Sequence, residues 1–258
     1  MALKPLKIGI SARIYHPNPE GKGLQTRTLQ YLEQSVAHWV MSRDVLVFMV
    51  PSVDKDGLLS MIRSAEQASR GLAQSDVEII LYACTSGSFV SGPGREDEIG
   101  EMITQWTGLP ACTTSTAVIR GLRAVNAKRV FMVTPYSDAI HQQEIEFLAH
   151  RGIEVAGHDT FRCADTVEIR DIPSPRVAEL VLSHRDVAAR CDAVFISCTN
   201  LLTLDQIEPL ERALGVPVLS SNGCTLWAAL QHLRAPLDGI PLGRLFAAGA
   251  GGAARAAA

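Results

Sequence analysis

Short apolar runs alternate along this chain with longer segments whose apolar residues recur at helical spacing. The apolar runs predict strands, and the periodic segments predict helices. Predicted strands cover residues 7–11, 45–50, 77–83, 109–113, 129–134, 153–156, 193–197 and 216–219. Predicted helices cover residues 24–42, 56–72, 96–106, 115–126, 138–151, 177–189, 204–214 and 223–233. Such an alternation builds parallel sheets covered by helices, so the predicted fold class is α/β.

The order of elements repeats within the chain. Cys84-Thr85-Ser86 follows one apolar run and Cys198-Thr199-Asn200 follows another, and each is succeeded by a helix and a Gly-x-Pro strand. A repeated order of elements predicts repeated geometry. We therefore expect two similar lobes with parallel sheets flanked by helices, related by a pseudo-twofold axis, with an active-site cleft between them. The expected lobes are residues 1–115 with 221–246, and residues 116–220, followed by a disordered tail at 247–258.

Composition excludes several classes of function. The 258 residues are 47% hydrophobic, and 24 basic against 27 acidic residues leave a net charge of −3. No basic stripe predicts nucleic-acid binding, and no apolar run has membrane-spanning length. The N-terminus lacks the apolar region of a signal peptide, so we expect a cytoplasmic protein. Six irregularly spaced cysteines predict neither a disulfide framework nor a metal site.

Cys84 and Cys198 are the candidate catalytic residues because each lies where a predicted parallel strand ends, the edge at which such sheets bind ligands. Two thiols facing a flat substrate would remove a proton from one side and return one from the other. Alternatively, one thiolate would attack a double bond and allow rotation about it. Both routes build negative charge on a carboxylate, which polar groups at the strand ends would stabilise. The predicted substrate-binding residues are Thr85, Ser86, Ser115, Thr116, Tyr136, Thr199 and Asn200, and the other four cysteines are read as core residues.

The motifs around these residues resemble those of the cofactor-independent aspartate/glutamate racemase superfamily, in its arylmalonate decarboxylase and maleate isomerase branch. The resemblance spans roughly residues 57–246. It rests on Ala83-Cys84-Thr85-Ser86, Gly108-Leu109-Pro110, Thr113-Thr114-Ser115-Thr116, Thr134-Pro135-Tyr136, Ser197-Cys198, Leu201-Leu202-Thr203-Leu204-Asp205, Gly215-Val216-Pro217-Val218 and Gly243-Arg244-Leu245-Phe246.

The resemblance implies a racemase or isomerase of a small carboxylate or dicarboxylate that needs no cofactor or metal. Decarboxylases of this branch have Gly before the Thr-Ser pair, whereas Cys84 stands there in this chain, so both thiols are present as in racemases and isomerases. The alternative is an arylmalonate-type decarboxylase with Cys198 as proton donor and Thr85, Ser86 and Tyr136 as its carboxylate pocket. Ser11-Ala12-Arg13-Ile14 replaces the Pro-Ser-Ser-Asn segment usual in maleate isomerases, which leaves the substrate open. A homodimer is compatible with the sequence.

The first 55 residues look more like the start of a class I glutamine amidotransferase. That family's Gly-x-Cys-x-Gly nucleophile elbow and its downstream His-x-Glu are absent from this chain, so an amidotransferase function is rejected.

Overall fold

A computed structural model describes residues 7–11, 13–15, 29–31, 46–50, 58–75, 77–89, 92, 94–237 and 239–247. Contacts divide the chain into two compact units. The first comprises Met1–Ala83 and Glu98–Cys112, and the second comprises Cys84–Asp97 and Thr113–Ala258. No helix in the described residues is long and apolar enough to cross a membrane.

From β4 onward, helices separate the strands as the sequence predicts. The strands are β1 (Lys7–Ser11), β2 (Arg13–Tyr15), β3 (Leu29–Tyr31), β4 (Leu46–Val50), β5 (Ile79–Tyr82), β6 (Ala111–Thr113), β7 (Arg129–Thr134), β8 (Glu154–Thr160), β9 (Ala193–Ile196) and β10 (Val218–Ser220). The helices are α1 (Leu58–Ala73), α2 (Thr85–Phe89), α3 (Glu98–Thr107), α4 (Thr114–Ala124), α5 (Asp138–His150), α6 (Thr166–Arg170), α7 (Ser174–Ser183), α8 (Arg185–Ala188), α9 (Ile207–Leu214) and α10 (Ser221–His232). The predicted α/β class with parallel sheets flanked by helices is confirmed.

The first sheet has the strand order β4-β1-β5-β6. β1 runs parallel to both of its neighbours, so that Ile8 lies opposite Val47 on one side and Ile79 on the other. The backbone N–H of Ile80 donates to the Pro110 carbonyl over 2.9 Å at the start of β6. β5 is buried along its whole length because helices cover parallel strands on both faces.

The second sheet has the order β10-β9-β7-β8 and is also parallel. β9, Ala-Val-Phe-Ile, is completely shielded from solvent and forms the centre of this unit's core. α4 packs against α10 beside this sheet. The strands of the first sheet all come from residues 1–115 and those of the second from 116–220, while the lobe boundaries themselves stay a prediction.

One predicted helix is wrong in its described part. Residues 29–31, inside the helix expected over 24–42, form β3, which pairs antiparallel with β2. Pairing across the chain satisfies the backbone groups of β3, and this outweighs a helical spacing of apolar residues. The remainder of 24–42 and the tail from 248 onward lie outside the described residues.

Three further boundaries differ from the sequence expectations. β8 continues to Thr160 because it pairs with β7 along that strand's full length, although its polar residues mark no apolar run. α6 lies where the sequence predicts neither a strand nor a helix, and the Asp165 side chain caps it by accepting from the N–H groups of Val167 and Glu168. The helix predicted over 177–189 begins at Ser174 and is interrupted at His184, which separates α7 from α8.

Candidate active site

Cys84 directly precedes α2 and is half-buried. The sequence predicts no helix between residues 83 and 96, whereas Ser88 belongs to this short helix. Its hydroxyl donates within the helix to the carbonyls of Cys84 and Thr85, at 2.8 and 2.9 Å. These side-chain bonds close the first turn at a Thr-Ser-Gly-Ser sequence that has little intrinsic preference for a helix.

Cys198 follows β9 and has a backbone conformation that is rare for a residue other than glycine. Its φ is +94°, and its side chain is only 1% exposed. The Cys198 N–H donates to the Ser221 hydroxyl over 3.0 Å. The N–H of Asn200 points at the Cys198 sulfur, with 3.4 Å between nitrogen and Sγ. The turn after β9 is therefore built around this thiol.

Ser221, the first residue of α10, links the turns at the two cysteines. Its oxygen accepts from the Cys198 N–H and also from the Thr85 hydroxyl, the latter at 3.0 Å. Thr85 and Ser221 are both buried. Ser221 is not among the residues that the sequence predicts to bind substrate. The structure shows that one hydroxyl connects the residue after Cys84 with the backbone of Cys198.

Ser115 belongs to the same polar cluster. Its hydroxyl lies 2.7 Å from the Ser88 hydroxyl and donates to the Thr85 carbonyl over 3.2 Å. Its N–H donates to Ser88 Oγ over 3.2 Å. The structure thus brings Thr85, Ser115 and Cys198 together, as the strand-end argument predicted, through buried hydroxyls of Ser88 and Ser221.

Three other predicted substrate-binding residues make structural contacts. The Thr116 hydroxyl bonds to Asp97 and lies 2.8 Å from the Thr113 hydroxyl at the start of α4. The Asn200 side chain donates to the Thr166 carbonyl over 2.9 Å. The Thr199 carbonyl accepts from the side chain of Asn222 over 3.2 Å. Substrate contacts of these residues and of half-buried Ser86 stay predictions.

Tyr136 is buried, and a chain of hydroxyls holds its backbone. Its N–H donates to the Thr134 hydroxyl over 3.3 Å, and its carbonyl accepts from the Thr160 hydroxyl over 2.5 Å. Thr134 in turn donates to Thr160 over 3.1 Å. The position of this tyrosine therefore depends on two strand-end threonines of β7 and β8.

A histidine pair extends this chain. His141 Nδ1 lies 2.8 Å from the Thr134 hydroxyl, and His141 Nε2 lies 2.9 Å from His158 Nδ1. Since the single Thr134 proton goes to Thr160, His141 donates from Nδ1, and a neutral His141 ring then accepts at Nε2 from His158. Burial lowers the pKa of His141, and the neighbouring charge of His158 lowers it further. Both causes favour the neutral ring that this pattern requires.

Two groups near Cys198 carry no signal in the sequence motifs. Cys163, interpreted above as a core residue, is half-buried, and burial, Glu168 and the Cys198 charge, in that order, raise the pKa of its thiol. Glu144, on α5, is fully buried, and the Ser197 hydroxyl donates to its Oε1 over 2.7 Å. Burial raises the pKa of Glu144 to about 8, and the Ser197 bond opposes this only in part.

For Glu144 the available sequence signal was its helical spacing from His141 and Phe147, which places it on the buried face of α5. Among the described residues no cluster of three or more His, Cys, Asp or Glu has metal-binding geometry. The site presents two thiols, one half-buried and one buried, and the Ser221 hydroxyl joins the Thr85 side chain, next to Cys84, to the Cys198 backbone.

Comparison with known proteins gives a consistent result. The family model described as Amdase, arylmalonate decarboxylase, matches residues 47–246. An arylmalonate decarboxylase from Bordetella bronchiseptica is 31% identical over 196 residues, which cover 76% of this chain and 82% of that protein. A maleate isomerase from Nocardia farcinica is 30% identical over 200 residues, covering 75% of this chain and 79% of that protein.

A solved structure shows the same fold. It is a cysteine-to-serine mutant of a Nocardia farcinica maleate cis-trans isomerase with a covalently bound succinylcysteine intermediate. It superposes with a TM-score of 0.75 at 24% identity, over 94% of this chain and 98% of that chain. The N-terminal resemblance to amidotransferases has no support in these comparisons, and the family model that matches begins at residue 47, within the 55 residues concerned.

Proposed function

Because this chain belongs to the arylmalonate decarboxylase (Amdase) family, we propose that it is a cofactor-independent isomerase of a small dicarboxylate, with Cys84 and Cys198 as its reacting groups. The observation that carries the proposal is the pair of hydrogen bonds at Ser221, which links the residue after Cys84 to the backbone of Cys198. Maleate is the first substrate to test, because a 30% identical relative is a maleate isomerase.

In the proposed reaction the Cys84 thiolate attacks one carbon of a cis double bond. A carbon–sulfur bond forms, the π electrons move to the neighbouring carbon, and the Cys198 thiol gives that carbon a proton. The carbon–carbon single bond then rotates. The Cys198 thiolate removes the proton and the carbon–sulfur bond breaks, which leaves the trans alkene and both thiol groups in their starting states. No oxidant or reductant is consumed.

The half-buried position of Cys84 suits the nucleophile, because a substrate must reach it. Cys198 suits proton transfer, because it is enclosed and the Asn200 N–H would stabilise negative charge on its sulfur. The succinylcysteine of the mutant Nocardia isomerase is the covalent species that such an attack forms in that protein.

A decarboxylase of disubstituted malonates is the second candidate. The Thr85-Ser86 pair and the 31% identical relative favour it. In that reaction carbon dioxide leaves, its bonding electrons remain on the α-carbon, and the Cys198 thiol protonates that carbon. Cys198 thus handles the proton in both candidates, and Cys84 distinguishes them.

The two functions are separated by assaying the purified protein with maleate and with phenylmalonate in deuterated water, followed by proton NMR. We expect fumarate from maleate, and a loss of at least about a thousandfold in both Cys84→Ser and Cys198→Ser. Carbon dioxide release from phenylmalonate that survives or increases in Cys84→Gly would instead establish the decarboxylase. Exchange of an α-proton of aspartate or glutamate without isomerisation of maleate would indicate a racemase.

A cytoplasmic location and a homodimer complete the proposal. The balanced charge, 24 basic against 27 acidic residues, is compatible with the first. Light scattering coupled to gel filtration tests the second.

A further inference from the structure

The carboxyl group of Glu144 contacts the turn that follows β9 and contains Cys198. Glu144 comes from the middle of α5 and is 1% exposed. The Ser197 hydroxyl, itself completely buried, donates to its Oε1 over 2.7 Å. Its second oxygen, Oε2, is buried and has no hydrogen-bond partner among the described residues. A buried acid is thus joined to the residue that immediately precedes Cys198.

This environment selects the neutral acid. A carboxylate with one hydrogen bond and no cation beside it is poorly solvated, whereas a neutral carboxyl group loses much less on burial. Burial raises the pKa of Glu144 to about 8, and its only opposing cause is the Ser197 hydrogen bond. Glu144 is therefore protonated at neutral pH and becomes ionised only in mildly alkaline solution.

The contact bears on Cys198 in two ways. Cys198 has the left-handed φ of +94°, a conformation that persists only where neighbouring contacts hold it. The Glu144–Ser197 bond fixes the backbone on one side of this residue, and the bond from Cys198 to Ser221 fixes its own N–H. The carboxyl group bonds to the residue next to Cys198 in the chain, and both side chains are buried. A charge on Glu144 would therefore act on the thiolate through a poorly screening interior.

We propose that Glu144 is a positioning residue for Cys198: as a neutral acid it holds the strand end through Ser197, and its ionisation disfavours the Cys198 thiolate. The inference rests on the proposed function of Cys198. It gives a reason why the reactivity of Cys198 is limited at alkaline pH, and that reason is the ionisation of Glu144 rather than of either cysteine.

Among the described residues no cation shifts the pKa of Glu144, since burial and the Ser197 hydrogen bond are its causes. α2 and β9 contain no titratable side chain. α5 itself and β8 carry the other titratable groups of the elements packed here: Asp138, His141, Glu146, His150, Glu154, His158 and Asp159. His141 is the member of this set that shares the buried face of α5, and burial lowers its pKa, which keeps it neutral.

The test compares Glu144→Gln with the wild-type protein. Gln has the same shape, accepts from Ser197 and cannot ionise. The rate of Cys198 alkylation by iodoacetamide is measured from pH 6 to 9.5 by mass spectrometry of the Cys198 peptide. We expect the ratio of the Gln variant to the wild type to be near one at pH 6.5 and to rise to about threefold or more at pH 9. Glu146→Gln, the same change on the exposed face of α5, should give a ratio near one throughout.

Turnover of maleate or phenylmalonate provides the second readout. Glu144→Gln should retain activity within about twofold at pH 7, whereas Glu144→Leu, which offers Ser197 no acceptor, should lose at least about tenfold. A pH-independent alkylation ratio for Glu144→Gln would overturn the charge effect, and equal losses in the Gln and Leu variants would overturn the positioning role. Because alkylation needs no substrate, it decides the inference even if neither substrate is turned over, the outcome that would reject the proposed function.

Discussion

The backbone of Cys198 is where a single residue departs most from ordinary conformational preference. A non-glycine residue at a φ of +94° carries strain on the order of 1–3 kcal/mol. The hydrogen bonds at Ser197, Cys198 and Asn200 hold the turn in place. The left-handed backbone of Cys198 places its sulfur opposite the Asn200 N–H. An extended continuation of β9 would not bring these two groups together.

This strain predicts an inverted order of stability for two substitutions. Cys198→Gly should be more stable than Cys198→Ala by about 1 kcal/mol, because glycine adopts positive φ without a steric penalty. Urea denaturation measures the difference. Cys191 is the matched control, since it is also a buried cysteine in a turn but has no positive φ. At Cys191 the glycine variant should be less stable than the alanine variant. If the glycine variant were the less stable one at Cys198 as well, strain at Cys198 would be excluded.

At the scale of elements, the packing of α4 on α10 depends on a glycine. A Cβ atom added to Gly121 of α4 would lie 2.9 Å from the Cys224 sulfur on α10. Cys224 is completely buried, and burial raises the pKa of its thiol well above the usual range, as expected for a core residue. The N-terminal residues of these two helices, Ser115 and Ser221, belong to the polar cluster around the cysteines. Close packing of the two helices therefore also positions the candidate site.

Two alanine substitutions in helices should have opposite effects. Gly121→Ala should destabilise the protein by about 1–3 kcal/mol despite alanine's higher helix propensity, because it overpacks the contact with Cys224. Gly71→Ala in α1, where nothing lies within 4 Å of the added Cβ, should stabilise it by up to about 1 kcal/mol.

Equilibrium unfolding in urea measures both variants. The double variant Gly121→Ala with Cys224→Ala should recover part of the loss, since the clash needs the sulfur. An unchanged or raised stability of Gly121→Ala alone would show that α4 and α10 do not pack this closely.

At the scale of the whole molecule, two buried groups give stability opposite dependences on pH. The pKa of Glu144 is raised, so its contribution to the free energy of unfolding is complete below about pH 4.5 and is lost as pH rises toward 8. The pKa of His141 is lowered by burial, so its contribution is present above about pH 6.5 and is lost as pH falls below that value. Below about pH 6.5 the two effects oppose each other, and above it only the loss from Glu144 remains, so stability is expected to decline as pH rises from there toward 8.

Replacing Glu144 by Gln should remove the decline on the alkaline side. Because the variant has no proton to lose, its melting temperature should change less than that of the wild type between pH 5 and 8. At pH 8 it should exceed the wild type by several degrees, which corresponds to a few kcal/mol at most. Calorimetry across this range measures the effect, with Glu146→Gln as the exposed control. Parallel curves for the wild type and Glu144→Gln would mean that Glu144 titrates normally.

The local order of the chain followed from the sequence in most places. β1, β5, β7 and β9 are short apolar runs, and the helices between them have apolar residues at helical spacing. Both patterns are visible in consecutive residues, so they predict the element without knowledge of the fold. Strand ends followed from these runs, which is why Cys84, Thr85, Ser115 and Cys198 were predicted at the carboxyl ends of strands. The exceptions, β3 and the polar edge strand β8, are stabilised by pairing with a partner strand that local patterning does not show.

Partnerships between distant residues were decided only by the tertiary structure. Ser221 meets Thr85 across 136 positions, and Ser197 meets Glu144 across 53. The sequence does not show which distant group a hydroxyl or carboxyl group will bond to, since a hydrogen bond requires an approach of about 3 Å that only packing provides. The sequence by itself therefore determined the α/β alternation and the two cysteine turns, because periodicity and strand ends are local. The shared hydroxyl, the left-handed backbone of Cys198 and the neutral acid behind it depend on long-range packing.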